Sequence, residues 1–299
     1  MVIYLRSLPE FEYFAPKSIK EACSLLQEYE GRAKVMSGGT DLLVNMKYRT
    51  VAPQFVIGLR NVPNLDSITY SEAKGLRLGT LVTHKSIVDS PIIRERFEAL
   101  AVACSKIGTP QVRSMGTIGG NLCNAAPSAD SAPPLIAFGA VVKLASPEGE
   151  RIISLEDFFA GPSKNVLQVG EILSEIQVPN PPPHTGVVYL KLPARTAVDI
   201  AAVGVAVSIT LDLKSRICSI ARIILGAVAP TPTRVNKAEE IIKGKKIEDN
   251  WVEEAARVAS EECFPISDIR SSADYRREMV KVLTEQAISQ ALEQAIISE

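Results

Sequence analysis

Two glycine-bearing segments carry the residues best suited to chemistry in this chain. The first is Ser37-Gly38-Gly39-Thr40, inside "KVMSGGTDLLVNMK". There an apolar run of strand length passes through adjacent glycines into a segment that reads as a helix. A helix start exposes backbone N–H groups without intrahelical acceptors, and glycine lets the backbone turn sharply and lie close to a ligand. Together these make an anion site, which the helix dipole reinforces by about 0.3–1 kcal/mol. Thr40 adds a hydroxyl donor. The Asp41 carboxylate would repel a phosphate, so it is expected to cap the helix and point away. The segment is not a Walker loop, because no lysine follows the glycines, and G-x-G-x-x-G is absent. Taken alone, a bare Gly-Gly turn also fits an ordinary tight turn.

The second segment, "KIGTPQVRSMGTIGGNLCNAAPSAD", runs from Lys106 to Asp130. It sets Gly108, Gly116, Gly119 and Gly120 among Thr117, Asn121, Asn124, Ser128 and Asp130. Read as one loop, it has a length that in compact domains is usually functional or disordered, and Ile118 and Leu122 argue against disorder. Threonine, asparagine and glycine N–H groups suit the ribose and phosphates of a nucleotide; a bland surface loop is the alternative. Elsewhere the chemistry is sparse. The histidines are His84 and His184, and the cysteines Cys23, Cys104, Cys123, Cys218 and Cys263 form no CxxC pair. The common zinc and iron–sulfur spacings are therefore excluded, and no metal ligand is assigned. No acid–base pair stands out, so no catalytic residue is assigned either.

These segments sit in a chain of 299 residues, enough for one large or two ordinary domains. Hydrophobic residues make up 46% and charged residues 22%, as in soluble globular proteins. The net charge of −1 gives no broad attraction to nucleic acid or an anionic membrane, which points to a small ligand. No apolar run approaches the roughly 18 residues that span a bilayer. The opening "MVIYLRSLPEFEYF" has no signal-peptide pattern, so a cytoplasmic location is expected.

The positioning elements follow from periodicity. Residues 16–31 read as a helix, with Ser18 and Glu21 at capping-box spacing and Gly31 at the stop. "AKVM" is a strand, "DLLVNMK" a helical turn or two, and "QFVIGL" a strand. A second region reads as strand and turn in "GLRLGTLVTH", a helix near 92–107, the glycine-rich loop to about 121, and a strand in "AVVKLA". The prolines of "VPNPPPHTG", residues 178–186, mark a domain boundary, and His184 there is expected to face solvent. Beyond it come three β-rich runs, "VVYLKLP", "IAAVGVAVSITLDL" and "ICSIARIILGAVA", and then helices from about 235. In the last helix Tyr275, Met279, Leu283, Ala287, Leu292 and Ala295 form the expected apolar line. The class is α+β.

"VMSGGTDLL" followed by "MGTIGGNLCNAAPSADSAPPL" resembles the FAD-binding medium subunit of the molybdenum hydroxylases, the xanthine dehydrogenase and carbon monoxide dehydrogenase family. The resemblance covers nearly the whole chain. It extends through "FEYFAPKSIKEACSLL", "GTLVTH", "GEILSEIQVP" and "YLKLPARTAVDIAAVGVAV". It implies a two-subdomain FAD-binding domain of the vanillyl-alcohol-oxidase/PCMH type over residues 1–179, with subdomains of about 1–60 and 61–179. Residues 180–299 would form a C-terminal domain like that of the carbon monoxide dehydrogenase flavoprotein, a three-stranded antiparallel sheet packed on helices.

Carried over residue by residue, the resemblance places the FAD pyrophosphate against Val35, Met36, Ser37, Gly38, Gly39, Thr40, Asp41 and Leu42. Thr117, Ile118, Gly119, Gly120 and Asn121 match the second FAD segment. Asp130 matches a position on the adenosine side. Ile107, Leu173 and Lys191 fall where the family contacts flavin or its edges, and His84 lies in a third nearby turn. Plain alternatives stand beside these: a helix cap for Asp130, a solvated strand residue for Lys191, core packing for Leu173 and a packed turn for His84. Arg195 and Asp199 read as an ion-pair candidate between the domains. The implied function is an FAD-dependent oxidoreductase subunit, passing electrons from a small [2Fe–2S] subunit, itself fed by a large molybdopterin subunit, to an external acceptor. A dimer of heterotrimers is the implied assembly. A stand-alone flavin oxidoreductase and a non-redox nucleotide-binding subunit are the other readings.

Overall fold

The computed structural model describes residues 7–194, 200–212 and 214–297. Arg195 and Asp199 lie outside the described residues.

The first unit is β1 (Glu12–Phe14), α1 (Ile19–Glu28), β2 (Ala33–Met36), α2 (Leu42–Lys47) and β3 (Phe55–Gly58). Its sheet is parallel, in the order β1-β3-β2. Ser18 caps α1 by accepting from Glu21 N at 3.1 Å, and the Glu21 carboxylate reaches back to Lys17 N at 2.8 Å. A small core of Ala22, Cys23, Ala33, Ile57 and Leu59 closes this unit and joins Ala145 and Ile172 of the next.

The second unit begins with β4 (Ile68–Ser71) and β5 (Gly75–Gly79). Six short helices follow: α3 (His84–Asp89), α4 (Pro91–Arg96), α5 (Glu98–Ser105), α6 (Pro110–Met115), α7 (Ile118–Asn124) and α8 (Ala132–Ala137). β6 (Val141–Ala145), β7 (Glu150–Ser154), the pair β8 (Phe159–Gly161) and β9 (Lys164–Asn165), and β10 (Ile172–Val178) complete it. The main sheet has the order β4-β5-β10-β6-β7 and is antiparallel throughout.

Two expectations need correction here. The single helix near 92–107 is broken at Phe97, whose backbone leaves the helical region at φ −134° and ψ 42°. Its ring is fully buried against Phe138, with centroids 5.3 Å apart. The stretch to about 121 is not a loop but holds α6 and most of α7. Thr109 caps α6 ahead of Pro110, accepting from Val112 N, and Thr117 caps α7, accepting from Gly120 N.

The third unit is antiparallel, β11 (Thr185–Pro193), β12 (Ala201–Asp212), β13 (Ile217–Gly226) and the two-residue β14 (Thr233–Arg234), in that order. The three long strands are the expected ones, and β14 is an addition at the edge. Helices α9 (Asn236–Ile242), α10 (Asp249–Glu261) and α11 (Ala273–Ile297) complete it. The buried line of α11 is Arg276, Val280, Thr284, Ala287, Ile288, Ala291 and Ala295; it includes the expected Ala287 and Ala295, and the expected Met279, Leu283 and Leu292 are partly buried beside it. Tyr275 is exposed, whereas Arg276 is buried and donates to Ala227 O and to the Asp268 carboxylate at 2.7 Å.

Packing ties the third unit to the second. Val187, Tyr189, Ala206 and Ile224 belong to the same buried cluster as Leu100, Ile136 and Leu173. His184 lies between β10 and β11 at φ +57°; it is half-buried, with Nδ1 out of solvent, so it faces solvent only in part. Among the described residues, no helix is long and apolar enough to cross a membrane.

Candidate functional site: a cleft between the first two units

The turn after β2 and the start of α7 face one another across a cavity of about 800 Å³, within the range of cofactor pockets. Ser37 to Leu42 line one wall. Gly39 adopts φ +75°, the left-handed region that glycine enters without steric cost. Gly38 lies so close to the Met115 carbonyl that any Cβ there would overlap it. Among the described residues, the N–H groups of Gly38, Gly39, Thr40 and Asp41 make no hydrogen bond within the chain. Clustered unpaired amides are what an anion needs.

Asp41 stands at the N-cap position of α2 but makes no side-chain cap bond, contrary to expectation; it is exposed and lines the cavity. Thr40 Oγ1 lies 3.5 Å from the Asp41 carboxylate.

The opposite wall is built differently. Thr117 Oγ1 accepts from Gly120 N and donates to Ser37 Oγ, both at 3.1 Å, which ties the two segments together. Ile118 N donates to Val82 O at 2.9 Å, Gly119 N to Thr80 O at 3.0 Å and Asn121 N to Thr117 O at 2.9 Å. A Cβ on Gly119 would overlap Thr80, and one on Gly120 would lie 2.6 Å from Ser37 Oγ. Close approach of chain to chain thus explains both glycines. Asn121 lines the cavity while its Oδ1 accepts from Ser131 Oγ at 2.6 Å.

The resemblance-derived residues divide. Val35, Met36, Ser37, Gly38, Gly39, Thr40, Asp41, Leu42, His84, Ile107, Thr117, Gly119, Gly120, Asn121 and Leu173 all line the cavity. Ile118, Asp130 and Lys191 do not. Ile118 is fully buried in the core beneath α7.

Asp130 and Lys191 form an ion pair at 2.8 Å, with side chains only 7% and 2% exposed. Tyr189 OH donates to Asp130 Oδ1 at 2.7 Å, and Lys191 Nζ also donates to Lys106 O, beside Ile107. Burial raises the Asp130 pKa, and Lys191 opposes that shift. A carboxylate this deep requires such partners. The pair also joins the second unit to the third. Asp130 is therefore not a helix cap, and Lys191 is not a solvated strand residue.

Leu173 is both core and cavity wall, since it is 1% exposed at the centre of the second sheet. His84 is buried, and desolvation, aided by Arg113, lowers its pKa to about 4, so the ring is neutral at pH 7.

Other lining residues escaped selection in the sequence: Thr80, Val112, Cys123, Leu167, Glu171 and Ile172. Thr80 was visible in "GTLVTH" and Ile172 in "GEILSEIQVP", but Leu167 carries no local signal. The Glu171 carboxylate takes two bonds from Arg151, at 2.6 and 2.7 Å, and one from Gln168 N at 2.7 Å. Arg151 also donates to Val166 O, which fixes the segment presenting Leu167.

A parallel unit and an antiparallel unit that enclose a cleft with free turn amides on one wall and Ile107, Leu167 and Leu173 among its apolar lining define a nucleotide-cofactor-binding domain. The family model "FAD binding domain in molybdopterin dehydrogenase" matches residues 9–181, and "CO dehydrogenase flavoprotein C-terminal domain" matches residues 188–291. The chain belongs to this family of molybdopterin-dehydrogenase FAD-binding subunits.

Among its relatives, the carbon monoxide dehydrogenase medium chain of Hydrogenophaga pseudoflava is 35% identical, over 95% of this chain and 97% of that one. The putative xanthine dehydrogenase FAD-binding subunit of Escherichia coli K12 is 31% identical, over 94% and 95%. A solved chain of the Hydrogenophaga pseudoflava carbon monoxide dehydrogenase superposes with a TM-score of 0.92 at 35% identity, covering 96% of this chain and 99% of that one.

Proposed function

We propose that the chain is the FAD-binding electron-transfer subunit of a heteromeric molybdenum hydroxylase. In this role it receives electrons from [2Fe–2S] centres of a small partner subunit, reduced in turn by a large molybdopterin subunit, and delivers them to an external acceptor. The observation that carries the reading is the cleft, where the unpaired Gly38–Asp41 amides stand opposite Thr117 and Asn121 in a cavity that Ile107, Leu167 and Leu173 also line. FAD, when bound, supplies the redox chemistry.

The chain's own residues do the rest. The turn amides receive a pyrophosphate, Thr117 holds the two walls in register, and Ile107, Leu167 and Leu173 give an aromatic ring system a dry wall. Asp130 and Lys191 brace that wall from behind through Lys106. The functional partition we propose is residues 1–179, with subdomains of about 1–60 and 61–179, and residues 180–299, supported by the separate sheets. A dimer of heterotrimers in the cytoplasm completes the proposal.

The natively expressed protein should be yellow, and denaturing precipitation should release one FAD per chain into the supernatant. A colourless chain that FAD cannot reconstitute would sink the cofactor assignment. Gel filtration with mass spectrometry should find [2Fe–2S] and molybdopterin subunits in the same peak, and substrate should reduce the flavin only in that complex. If the chain elutes alone and an organic substrate still reduces its flavin, a stand-alone oxidoreductase is the better reading.

A further inference from the structure

Among the described residues that line the cleft, His84 has a buried side-chain nitrogen, Nδ1, without a hydrogen-bond partner. It begins α3, is 2% exposed and lines the cavity. Its backbone N–H is spent on Gly116 O at 3.0 Å. Its Nδ1 is buried and has no hydrogen-bond partner, and Nε2 has none among the described residues. Leaving a buried polar atom unpaired costs about 1–3 kcal/mol, so such atoms call for an explanation.

The position of the ring suggests one. A methyl group on Gly116 would lie 3.3 Å from His84 Cδ2 and 3.5 Å from Thr40 Oγ1, so the imidazole is a near neighbour of the anion-binding turn. Arg113 on α6 disfavours its protonation, and the Asp41 carboxylate lies 3.5 Å from Thr40 Oγ1.

We propose that His84 binds the phosphate-bearing part of the dinucleotide, acting as a neutral imidazole donor beside the Gly38–Asp41 amides. In a neutral ring one nitrogen donates and the other accepts, so the nitrogen turned towards a phosphate oxygen must carry the proton. Neutrality suits this crowded position. An imidazolium would have to be desolvated near Arg113, whereas the neutral ring adds a donor without a further buried charge. The inference rests on the FAD reading and assigns a role to a residue that a simple glycine-loop account leaves idle.

The test uses the full chain labelled with ¹³C and ¹⁵N in histidine. The sequence has two histidines, so His184→Gln leaves the His84 ring signal alone. FAD is added to saturation, followed by absorbance, and riboflavin serves as the phosphate-free probe. The expected result is that FAD shifts the His84 ring signal and raises its pKa from about 4 towards the ordinary histidine range, while riboflavin does neither. If FAD binds stoichiometrically and the His84 signal stays where it was, the inference fails and the FAD assignment stands. If riboflavin moves the signal as much as FAD, the phosphate contact is wrong. If no FAD binds at all, the functional proposal itself falls.

As a second measurement, His84→Leu should weaken FAD binding by roughly 10–100-fold, the worth of a hydrogen bond to a charged group. His84→Gln, which keeps an amide donor, should restore most of that loss, with both variants checked by thermal melting. Equal affinity in the Leu and Gln variants would overturn the proposal.

Discussion

The turn at Ser37–Asp41 and the start of α7 at Thr117–Asn121 are spelled alike, with a hydroxyl residue, adjacent glycines and a polar residue after them, and both line the same cavity. Their backbones do opposite things. Among the described residues, the amides of Gly38 to Asp41 have no partner, whereas Ile118, Gly119, Gly120 and Asn121 have all spent theirs on Val82, Thr80 and Thr117. The first segment leaves its amides open towards the cavity; the second spends its amides within the fold and forms the facing wall. A Gly-Gly pair in a cofactor motif therefore does not by itself mean that backbone meets ligand. At Gly119 and Gly120 the close neighbour is another part of the same protein, Thr80 in one case and Ser37 in the other.

The sharpest way to break this comparison is Gly119→Val. Its Cβ would overlap Thr80, and the site is buried. Overpacking of this kind costs about 1–3 kcal/mol and occasionally more. The melting temperature should fall with or without FAD present. A variant that melts like the wild type but binds no flavin would return Gly119 to the ligand-contact class.

The pH dependence of His84 comes next. Its folded pKa of about 4 lies below its ordinary value of 6.5, so the folded ring stays neutral where the unfolded chain takes up a proton. Stability from this group is complete above about pH 6.5 and is lost as pH falls through 4, at most about 3 kcal/mol. The difference in unfolding free energy between wild type and His84→Gln should therefore change between pH 7 and pH 4.5. A constant difference would mean that the ring is not held neutral.

Thr117→Val should have an intermediate effect, since it removes the α7 cap and the bond to Ser37 together. A loss of about 1–2 kcal/mol in stability is expected, along with weaker FAD binding because the walls lose their tie. Unchanged flavin affinity would show that the turn binds without help from the wall.

The smallest effect is expected for Asp41→Asn. Removing an exposed carboxylate beside the free amides should tighten FAD binding a few-fold, in keeping with surface electrostatics below about 1 kcal/mol, and less so at high salt. Weaker binding would show that Asp41 takes part in holding the ligand.

Several features were legible in the sequence because local rules decide them. Ser18 and Glu21 announced the start of α1, and the apolar runs at 33–36, 55–58 and 201–212 announced strands. Adjacent glycines between a strand and a helix marked the turn that lines the cavity. The caps of α6 and α7 were also written there, as Thr109-Pro110 and Thr117 three residues before Gly120, but the density of glycine made the whole stretch read as loop.

Other features depend on chain segments far apart in sequence. Asp130 became half of a buried ion pair only because β11 brings Lys191 and Tyr189 against it from some 60 residues away. Leu167 reached the cavity only because Arg151 grips Val166 and Glu171.

The sequence by itself determined which residues can turn tightly, cap a helix or fill a core, since these follow from side-chain shape and near-neighbour hydrogen bonding. Only the tertiary structure decided which amides remain free. That depends on which carbonyls the fold delivers to them: among the described residues, Val82 and Thr80 arrive at α7, and none arrives at Gly38 to Asp41.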